Sequence, residues 1–358
     1  MSGIKYIGMD VHKASISVTV LDEAGKLMSE TTLRTEATTV REFFRGLGGS
    51  VQVSFEESTQ AQWLYELLAP LVCQVVVCDP RQLPARKRGN KSDRNDARKL
   101  AEWLRLGILK PVYHQRTDLR GLQELAASYT QLSNDGIRTM NRLKAIYRGR
   151  AIECPGARVY SPKFRNAWLE QLREPGARRR AERLYAELDL VLALRKEARQ
   201  EMVWESRRHS AHRLLCSIPP LGPVRVALLL ALLKTPHRFR NKRQLWTYAG
   251  LGLVTRSSAD YRDVEGQLER ARRPVLVVGL NRNHNRALKA VFKGAATGAL
   301  RHDGPWKDFY ACRIAQGRRP PLAVVTLARK IAAVTLTVWK KGEPFDAEHL
   351  KSQAAGAL

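Results

Sequence analysis

Residues 91–100 read K-S-D-R-N-D-A-R-K-L and place two aspartates three positions apart among basic side chains. On a helix this spacing puts the carboxylates of Asp93 and Asp96 on one face, one turn apart. Two acids in a positive field suit a divalent cation that has to meet a phosphate. Acids are also favoured in the exposed first turn of any helix, so the stretch alone leaves both interpretations open.

The chain is strongly basic along its whole length. It has 358 residues, with 62 Lys and Arg against 34 Asp and Glu, and a formal net charge of +28. This charge argues against an ordinary metabolic enzyme and indicates a large polyanionic partner, most simply nucleic acid. We expect no membrane partner, because the longest apolar run, residues 226–233, is too short to span a bilayer.

Cysteine usage indicates a reducing compartment. The five cysteines are scattered, odd in number and never form a C-x-x-C pair. We therefore expect reduced structural thiols in a cytoplasmic protein. The N-terminus runs straight into a strand pattern, so no signal peptide is expected.

Hydrophobic periodicity predicts an α/β domain in the first third of the chain. The predicted elements are strands over residues 5–11, 14–21 and 27–33, a helix over 38–47, a strand over 51–55, a helix over 59–71, a strand over 74–78, and the helix that begins near Asp93 and runs to about 106. Three strands in an antiparallel meander, followed by alternating helices and strands, form the ribonuclease H-like topology. In that topology the first and fourth strands lie side by side.

Four acids converge in this arrangement. Asp10 ends the first strand, Glu56 ends the fourth, and Asp93 and Asp96 lie on the last helix. Several carboxylates sharing one or two Mg²⁺ (or Mn²⁺) ions would offset their mutual repulsion. Two such ions can bind both the attacking and the leaving oxygen of a phosphodiester. Glu57 competes with Glu56, which is preferred because strand alternation places it opposite the apolar face.

Several motifs resemble a known family. They are G-M-D-V-H-K at residues 8–13, F-E-E-S-T at 55–59, V-V-V-C-D-P at 75–80 and K-S-D-R-N-D-A-R-K-L-A at 91–101. The chain resembles the DEDD-type transposases of the insertion sequence one-hundred-and-ten family, whose N-terminal domain is similar to the RuvC Holliday-junction resolvase. The resemblance implies metal binding by Asp10, Glu56, Asp93 and Asp96. The family more usually has E-A-T-G where this chain has E-E-S-T, which keeps Glu57 open.

Two long helical patterns follow, over residues 118–148 and 177–206, with a break in the first near residues 134–136. They predict a helical hairpin or coiled coil that projects from the catalytic domain, with plain packing within a domain as the alternative. The resemblance favours a coiled-coil link that helps the family form a dimer and higher oligomers.

The C-terminal part begins with a helix, a P-P-L-G-P turn and an apolar helix over residues 214–233. This pattern resembles a helix-hairpin-helix, in which turn amides near Gly222 would meet a phosphate without reading bases. Residues 252–261 read as a loop containing Ser257 and Ser258, and from residues alone a serine pair is an ordinary polar turn. The resemblance makes Ser258 the nucleophile, or Ser257 if the loop register slips by one.

We predict four regions: a RuvC-like domain over residues 1–112, a helical coiled-coil linker over 113–208, a mainly α C-terminal transposase domain over 209–350, and a frayed tail over 351–358. Basic side chains along these regions are expected to contact nucleic acid. With the turn glycine, the predicted contacts are Arg88, Lys91, Arg94, Gly222, Arg256, Arg262, Arg329 and Lys330.

The resemblance implies a DNA transposase or recombinase of an insertion sequence, acting through a covalent serine–DNA intermediate. It also implies a structured guide RNA (the bridge RNA), element-end and target DNA as substrates, a homodimer that becomes a tetramer on DNA, and a nucleoid-associated location in bacteria. Delegating base recognition to RNA would explain the charge without a sequence-reading motif. The alternatives are a Holliday-junction or flap nuclease using the four acids alone, and a non-catalytic nucleic-acid-binding protein.

Overall fold

The structure is a computed structural model that describes residues 3–83, 93–115, 118–256, 261–264, 267–270 and 276–347. The chain divides into two compact units, Met1–Thr117 and Asp118–Leu358. One hydrophobic cluster of the first unit is built from residues between Ile7 and Val77, and residues 97, 100, 101 and 104 are buried as well. The second unit has two clusters of its own. The predicted boundaries near residues 112 and 208 stay predictions.

The first unit has the predicted ribonuclease H-like topology. Its elements are β1 (Ile4–Val11), β2 (Ser15–Leu21), β3 (Leu27–Arg34), α1 (Ala37–Gly46), β4 (Ser50–Glu56), α2 (Ala61–Leu68), β5 (Gln74–Cys78) and α3 (Asp93–Arg105). The sheet order is β3-β2-β1-β4-β5. The first three strands pair antiparallel, whereas β4 pairs parallel with both β1 and β5. The predicted meander and the β1–β4 neighbourhood are therefore confirmed.

Alternation along β1 and β4 separates the two faces of the sheet. Ile7, Met9, Val53 and Phe55 are buried in the cluster that also takes in the apolar side chains of α1 and α2. The opposite face is covered by α3, which comes so close that a Cβ added at Gly8 would lie 2.0 Å from the carbonyl oxygen of Ala97. Only a glycine permits this approach.

The second unit opens with a long helical hairpin. Its elements before the C-terminal helices are α4 (Arg120–Arg148), α5 (Arg165–Glu170) and α6 (Pro175–Ser206), with short 3₁₀ turns at Arg158–Tyr160 and Pro162–Phe164. The predicted break near residues 134–136 is wrong, because α4 is continuous through it. Gly136 faces α6, where an added Cβ would lie 3.6 Å from Val191 Cγ1. Packing of α4 on α6 overrides the weak helix propensity of this stretch.

The two ends of the hairpin belong to different cores. Leu122 and Ala126 of α4 and Met202 of α6 join the large C-terminal cluster. Toward the other end, Tyr147 and Tyr185 are buried in a smaller cluster that includes Val159 of the first 3₁₀ turn. Their hydroxyls lie 3.2 Å apart, and the Tyr185 hydroxyl also donates to the Val159 carbonyl at 2.9 Å.

The C-terminal helices form the largest core. They are α7 (Ala211–Cys216), α8 (Pro223–Leu233), α9 (Lys242–Tyr248), α10 (Arg286–Ala299), α11 (Pro305–Ala315) and α12 (Pro320–Lys341), with a 3₁₀ turn at Pro236–Arg238. Prolines at the first position start α8, α11 and α12, and Gly342 in the left-handed region ends α12. By length and composition α12 is apolar enough to cross a membrane, but half of its apolar window is buried inside the protein. It packs on α9, α10 and α11 as a core helix.

Residues 252–261 were predicted as a loop, but strands occupy residues 253–256 and begin again at Tyr261, and two further strands follow. They are β6 (Leu253–Arg256), β7 (Tyr261–Val264), β8 (Gln267–Arg270) and β9 (Leu276–Leu280). β6 pairs antiparallel with β9, and β7 with β8. A short apolar strand pattern is present at residues 253–254 and 276–280, and the sequence interpretation missed it. Ser257 and Ser258 lie outside the described residues, as does the predicted frayed tail.

Candidate active site

A carboxylate site forms where β1 ends beneath the start of α3. The group consists of Asp10, His12 and Asp93, each offering one ligand atom within 4.8 Å of the others. His12 Nε2 lies 3.3 Å from Asp10 Oδ2 and 3.5 Å from Asp93 Oδ2. His12 is therefore a site residue that the sequence analysis missed. Its position two residues after Asp10 was the available signal, since alternate residues of an extended chain share a face.

Asp10 is partly buried and lies near two other carboxylates, those of Asp93 and Asp96. Burial raises the pKa of Asp10, the charge and hydrogen bond of His12 lower it, and the carboxylates of Asp93 and Asp96 raise it again, with a net rise. Unfavourable interaction among carboxylates of this kind is relieved when a cation binds. The close approach of α3 over Gly8 creates it, because it brings the first turn of α3 to the end of β1.

Asp96 and Glu56 border this group without belonging to it. Asp96 is 8% exposed, and Lys99 Nζ donates to its Oδ1 at 3.2 Å. The parallel register of β1 with β4 ends at the pair Met9 and Phe55, and Asp10 and Glu56 are the next residues of the two strands. The two acids are therefore neighbours on the face covered by α3. Burial raises the pKa of the Cys78 thiol to about 12, and the nearby Glu56 carboxylate adds to the rise.

Glu57 is engaged elsewhere. His114 Nε2 donates to Glu57 Oε2 at 2.6 Å, and His114 Nδ1 lies 2.9 Å from Gln62 Oε1 of α2. The His114 side chain is 7% exposed. Its segment is held against the edge strand, where the Val112 amide donates to the Val77 carbonyl at 2.7 Å. This contact favours Glu56 over Glu57 as the acid that faces Asp10, and His114 is a second residue that the sequence analysis missed.

The donor set fits a hard divalent cation. Two carboxylate oxygens and one imidazole nitrogen lie within 4.8 Å of one another, and Mg²⁺ holds oxygen ligands at about 2.0–2.1 Å. Asp10, His12 and Asp93 could therefore supply ligands to one ion. His12 Nε2 lies between the two aspartates, close to one oxygen of each. Mn²⁺ accepts such a nitrogen more readily than Mg²⁺ does.

The base of the predicted serine segment is tightly bonded within the second unit. The Asn281 amide donates to the Gly252 carbonyl at 3.0 Å, and Arg329 Nε donates to the Leu251 carbonyl at 2.6 Å. Gly250 has φ +65°, and an added Cβ would lie 2.4 Å from the His284 ring. These contacts fix where β6 leaves the helical core and where β9 returns to it.

The predicted nucleic-acid contacts have different environments. Arg94 is exposed in the first turn of α3, and Gly222 is the N-cap residue of α8. Arg329 uses its guanidinium within the protein, and burial lowers the pKa of Lys330, helped by the nearby cations of Lys242 and Arg313. Outside the described residues or side chains lie Arg88, Lys91, Arg256 and Arg262.

The fold and this site define a class, a ribonuclease H-like domain with acids gathered at the end of its first strand and on its last helix. Two family models match the chain. The model for DEDD-type transposases of IS110, described as a transposase, matches residues 7–149, and that of the transposase IS116/IS110/IS902 family matches residues 212–311. The chain belongs to the IS110 family of transposases.

A relative from Sinorhizobium fredii (strain NBRC 101917 / NGR234), named as the transposase y4pF/y4sB, is 26% identical over 271 residues. The match spans 73% of this chain and 65% of the relative. The chain thus matches somewhat less than two thirds of that relative's length.

Proposed function

We propose that this chain is a DNA transposase that cleaves and joins DNA strands with the help of a divalent metal, Mg²⁺ or Mn²⁺. The observation that carries the proposal is the convergence of Asp10 and Asp93 on His12 Nε2, brought about by the close docking of α3 over Gly8. Family membership and the net charge of +28 support DNA as the substrate.

Asp10, Glu56, Asp93 and Asp96 would hold the metal, with His12 beside them. When bound, the ion would supply charge stabilisation for a phosphodiester under attack and for its leaving oxygen. The chain itself holds the acids in place: His12 orients two of them, Lys99 holds Asp96, and His114 holds Glu57 aside. Arg94 at the exposed rim is suited to draw in the phosphate backbone.

Ser258 is the proposed nucleophile, with Ser257 as the alternative. Its oxygen would form an ester with the phosphorus while the bond from phosphorus to a DNA oxygen breaks, and the proton lost by the serine would end on that leaving oxygen. The hydrogen bonds at Leu251 and Gly252 fix the start of the segment that contains the two serines, which supports a functional role for that segment. A serine ester conserves the energy of the broken bond for strand joining.

Guide RNA, oligomer and location complete the proposal. A structured bridge RNA would choose element-end and target DNA by base pairing, which accounts for strong positive charge without a base-reading motif. A homodimer, becoming a tetramer on DNA, would bring two element ends together. The protein would act at the bacterial nucleoid.

The test is a search for a covalent protein–DNA adduct. Purified protein with its co-purifying RNA, Mg²⁺ and element-end DNA is denatured and examined for a shifted band. We expect the band in the wild type and in Ser257→Ala, and expect to lose it in Ser258→Ala and Asp93→Ala. Cleavage without any adduct, insensitive to both serine changes, would instead establish a nuclease that uses the acids alone. Absence of metal-dependent cleavage would leave a binding protein.

A further inference from the structure

A cleft of about 620 Å³ lies within the second unit, between α4, α6, α8 and α10. Tyr129 of α4 and Leu228 of α8 contribute to its apolar floor. Arg195 and Arg199 of α6 and Arg225 of α8 line it as well. No acidic residue is among the described side chains that line it, so the cleft is cationic over an apolar surface.

The three arginines are not equivalent. Arg225 donates to the Pro220 carbonyl at 3.2 Å and to the Gly294 carbonyl at 3.0 Å, so it is fixed within the wall. Arg195 lies over the Tyr129 ring, with its guanidinium carbon 5.9 Å from the ring centroid. Arg199 is exposed and has neither a hydrogen-bond nor an ion-pair partner in the part of the chain that the structure describes. Arg199 is therefore available for an external anion.

An apolar cleft lined by arginines suits a single-stranded nucleic acid better than a duplex. The phosphates of an intact duplex bind cations on an open surface and need no apolar cavity. An unpaired nucleotide offers a flat apolar base next to an anionic phosphate, and proteins take such bases against aromatic and aliphatic side chains. A cleft with an aromatic ring, aliphatic side chains and an unpartnered arginine matches the second ligand.

We propose that this cleft binds an unpaired nucleotide of a single-stranded nucleic acid, with the base against Tyr129 and Leu228 and the phosphate on Arg199, supported by Arg195. The proposal rests on the proposed handling of nucleic acid by this chain. It uses neither the carboxylate site nor the serine segment. DNA and RNA strands share the required chemistry.

The test is photocrosslinking with 5-iodouracil single strands, one of DNA and one of RNA, in EDTA so that no metal-dependent cleavage occurs. Irradiation joins iodouracil to an aromatic ring in contact with it, and peptide mapping identifies the ring. Arg199→Glu is compared with Lys196→Glu, which makes the same charge change on the same helix at an exposed residue outside the cleft. Tyr129→Leu keeps an apolar side chain but removes the ring.

We expect the crosslink on the peptide that contains Tyr129 and its loss in Tyr129→Leu. Arg199→Glu should weaken strand binding on the order of tenfold more than Lys196→Glu, because a charge-assisted contact is lost. A duplex of the same sequence should compete poorly. The strand type that binds more tightly identifies the ligand as DNA or RNA.

Equal weakening by the two charge reversals would overturn the proposal, and so would a crosslink that maps elsewhere or a duplex that competes as well as the single strand. Asp93→Ala separates this proposal from the one above. It should abolish cleavage and leave the crosslink intact. If Asp93→Ala still cleaves DNA and still forms the crosslink, the proposed metal mechanism is contradicted and the proposed nucleotide binding in the cleft is retained.

Discussion

Gly8 sets the distance between α3 and the sheet, and it does so by lacking a side chain. A Cβ at this position would meet two backbone atoms of α3, the Ala97 oxygen at 2.0 Å and the Ala101 nitrogen at 2.4 Å. Backbone atoms cannot rotate away as a flexible side chain can, so the whole helix would have to shift. The helix carries Asp93 and Asp96, so stability and the carboxylate site depend on the same residue.

We predict that Gly8→Ala lowers the free energy of unfolding by about 1–3 kcal/mol or more and strongly reduces metal-dependent cleavage. Urea denaturation followed by circular dichroism gives the first quantity, and a nicking assay the second. Gly46→Ala is the control, because a Cβ there meets nothing within 4 Å. A Gly8→Ala protein as stable and active as the control would show that α3 is not held at this distance.

The neighbouring acids Glu56 and Glu57 should have separable roles. We predict that Glu56→Gln abolishes cleavage, whereas Glu57→Gln and His114→Ala lower the cleavage rate about tenfold with unchanged DNA affinity, as residues that position a site do. Rates at saturating DNA and equilibrium binding separate the two effects. If Glu57→Gln abolishes cleavage and Glu56→Gln retains it, the roles of the two acids are reversed.

Asp10, Glu56, Asp93 and Asp96 could be singled out from the sequence because each falls at a strand end or a helix start. Their role as metal ligands stays a prediction. His114 was not, because it reaches Glu57 from 57 positions away through an extended segment with no periodic pattern. Contacts of that kind depend on tertiary folding, which no local spacing encodes.

Among the elements, the hairpin of α4 and α6 depends on two buried tyrosines. We predict that Tyr185→Phe costs about 1–3 kcal/mol of unfolding free energy, because it leaves the Val159 carbonyl and the Tyr147 hydroxyl without their partner. Tyr147→Phe should cost less, about 1 kcal/mol, because it removes one of these bonds and leaves the other. Urea denaturation of both variants is the measurement. Equal losses would contradict this order.

The junction of α6 and α7 should respond to pH. Burial lowers the pKa of His212, with help from the cations of Arg207 and His209, and burial also lowers that of His209. His212 Nδ1 lies 3.0 Å from Ser206 Oγ, and its Nε2 lies 3.6 Å from Cys216 Sγ. A histidine with a depressed pKa takes up its proton more readily in the unfolded chain than in the folded one.

We therefore predict that the free energy of unfolding is highest above the ordinary histidine pKa of about 6.5, where His212 is neutral in both states. It should fall as the pH drops below that value. His212→Gln should flatten this fall, and the exposed His302→Gln should leave it unchanged. Urea denaturation at about pH 7.5 and about pH 5.5 measures both. The same pH slope in His212→Gln as in the wild type would contradict the assignment.

Helices and strands were predicted correctly where the hydrophobic periodicity was clear. The prediction failed where packing against another element determines the structure. The bounds of β1 to β5 lie within a residue or two of the predicted ones, because alternation was clear. Continuity of α4 through Gly136 was missed because α6 stabilises it from outside. The short strands β6 to β9 were missed because four or five residues carry little periodicity.

For the whole molecule, the cores predict independent folding. The cluster of the first unit contains no residue beyond Val77, and those of the second begin at Leu122. We predict that residues 1–117 and 118–358, expressed separately, each unfold cooperatively in urea. Circular dichroism and urea denaturation of the two fragments provide the measurement. A fragment without a cooperative transition would show that its core needs the rest of the chain.

Fold class was predictable at this scale because element order fixes the topology of the first unit. The cleft between four helices was not, since its walls come from residues 129–134, 195–199, 222–232 and 287–294. Composition predicted the sign of the partner's charge. The cleft proposed to bind an unpaired base could not be predicted, because it forms only when four separate helices pack together.

The bond between Gly252 and Asn281 has an evolutionary consequence. It clamps together the two ends of the segment that includes β6 to β9, while Leu251 and Leu288 lie buried in the core on either side. A loop with clamped ends can be lengthened, shortened or exchanged at small entropic cost, about 0.6 kcal/mol for each doubling of length. Selection can therefore diversify the part of the chain that carries Ser258 and leave the helices beneath it unaltered.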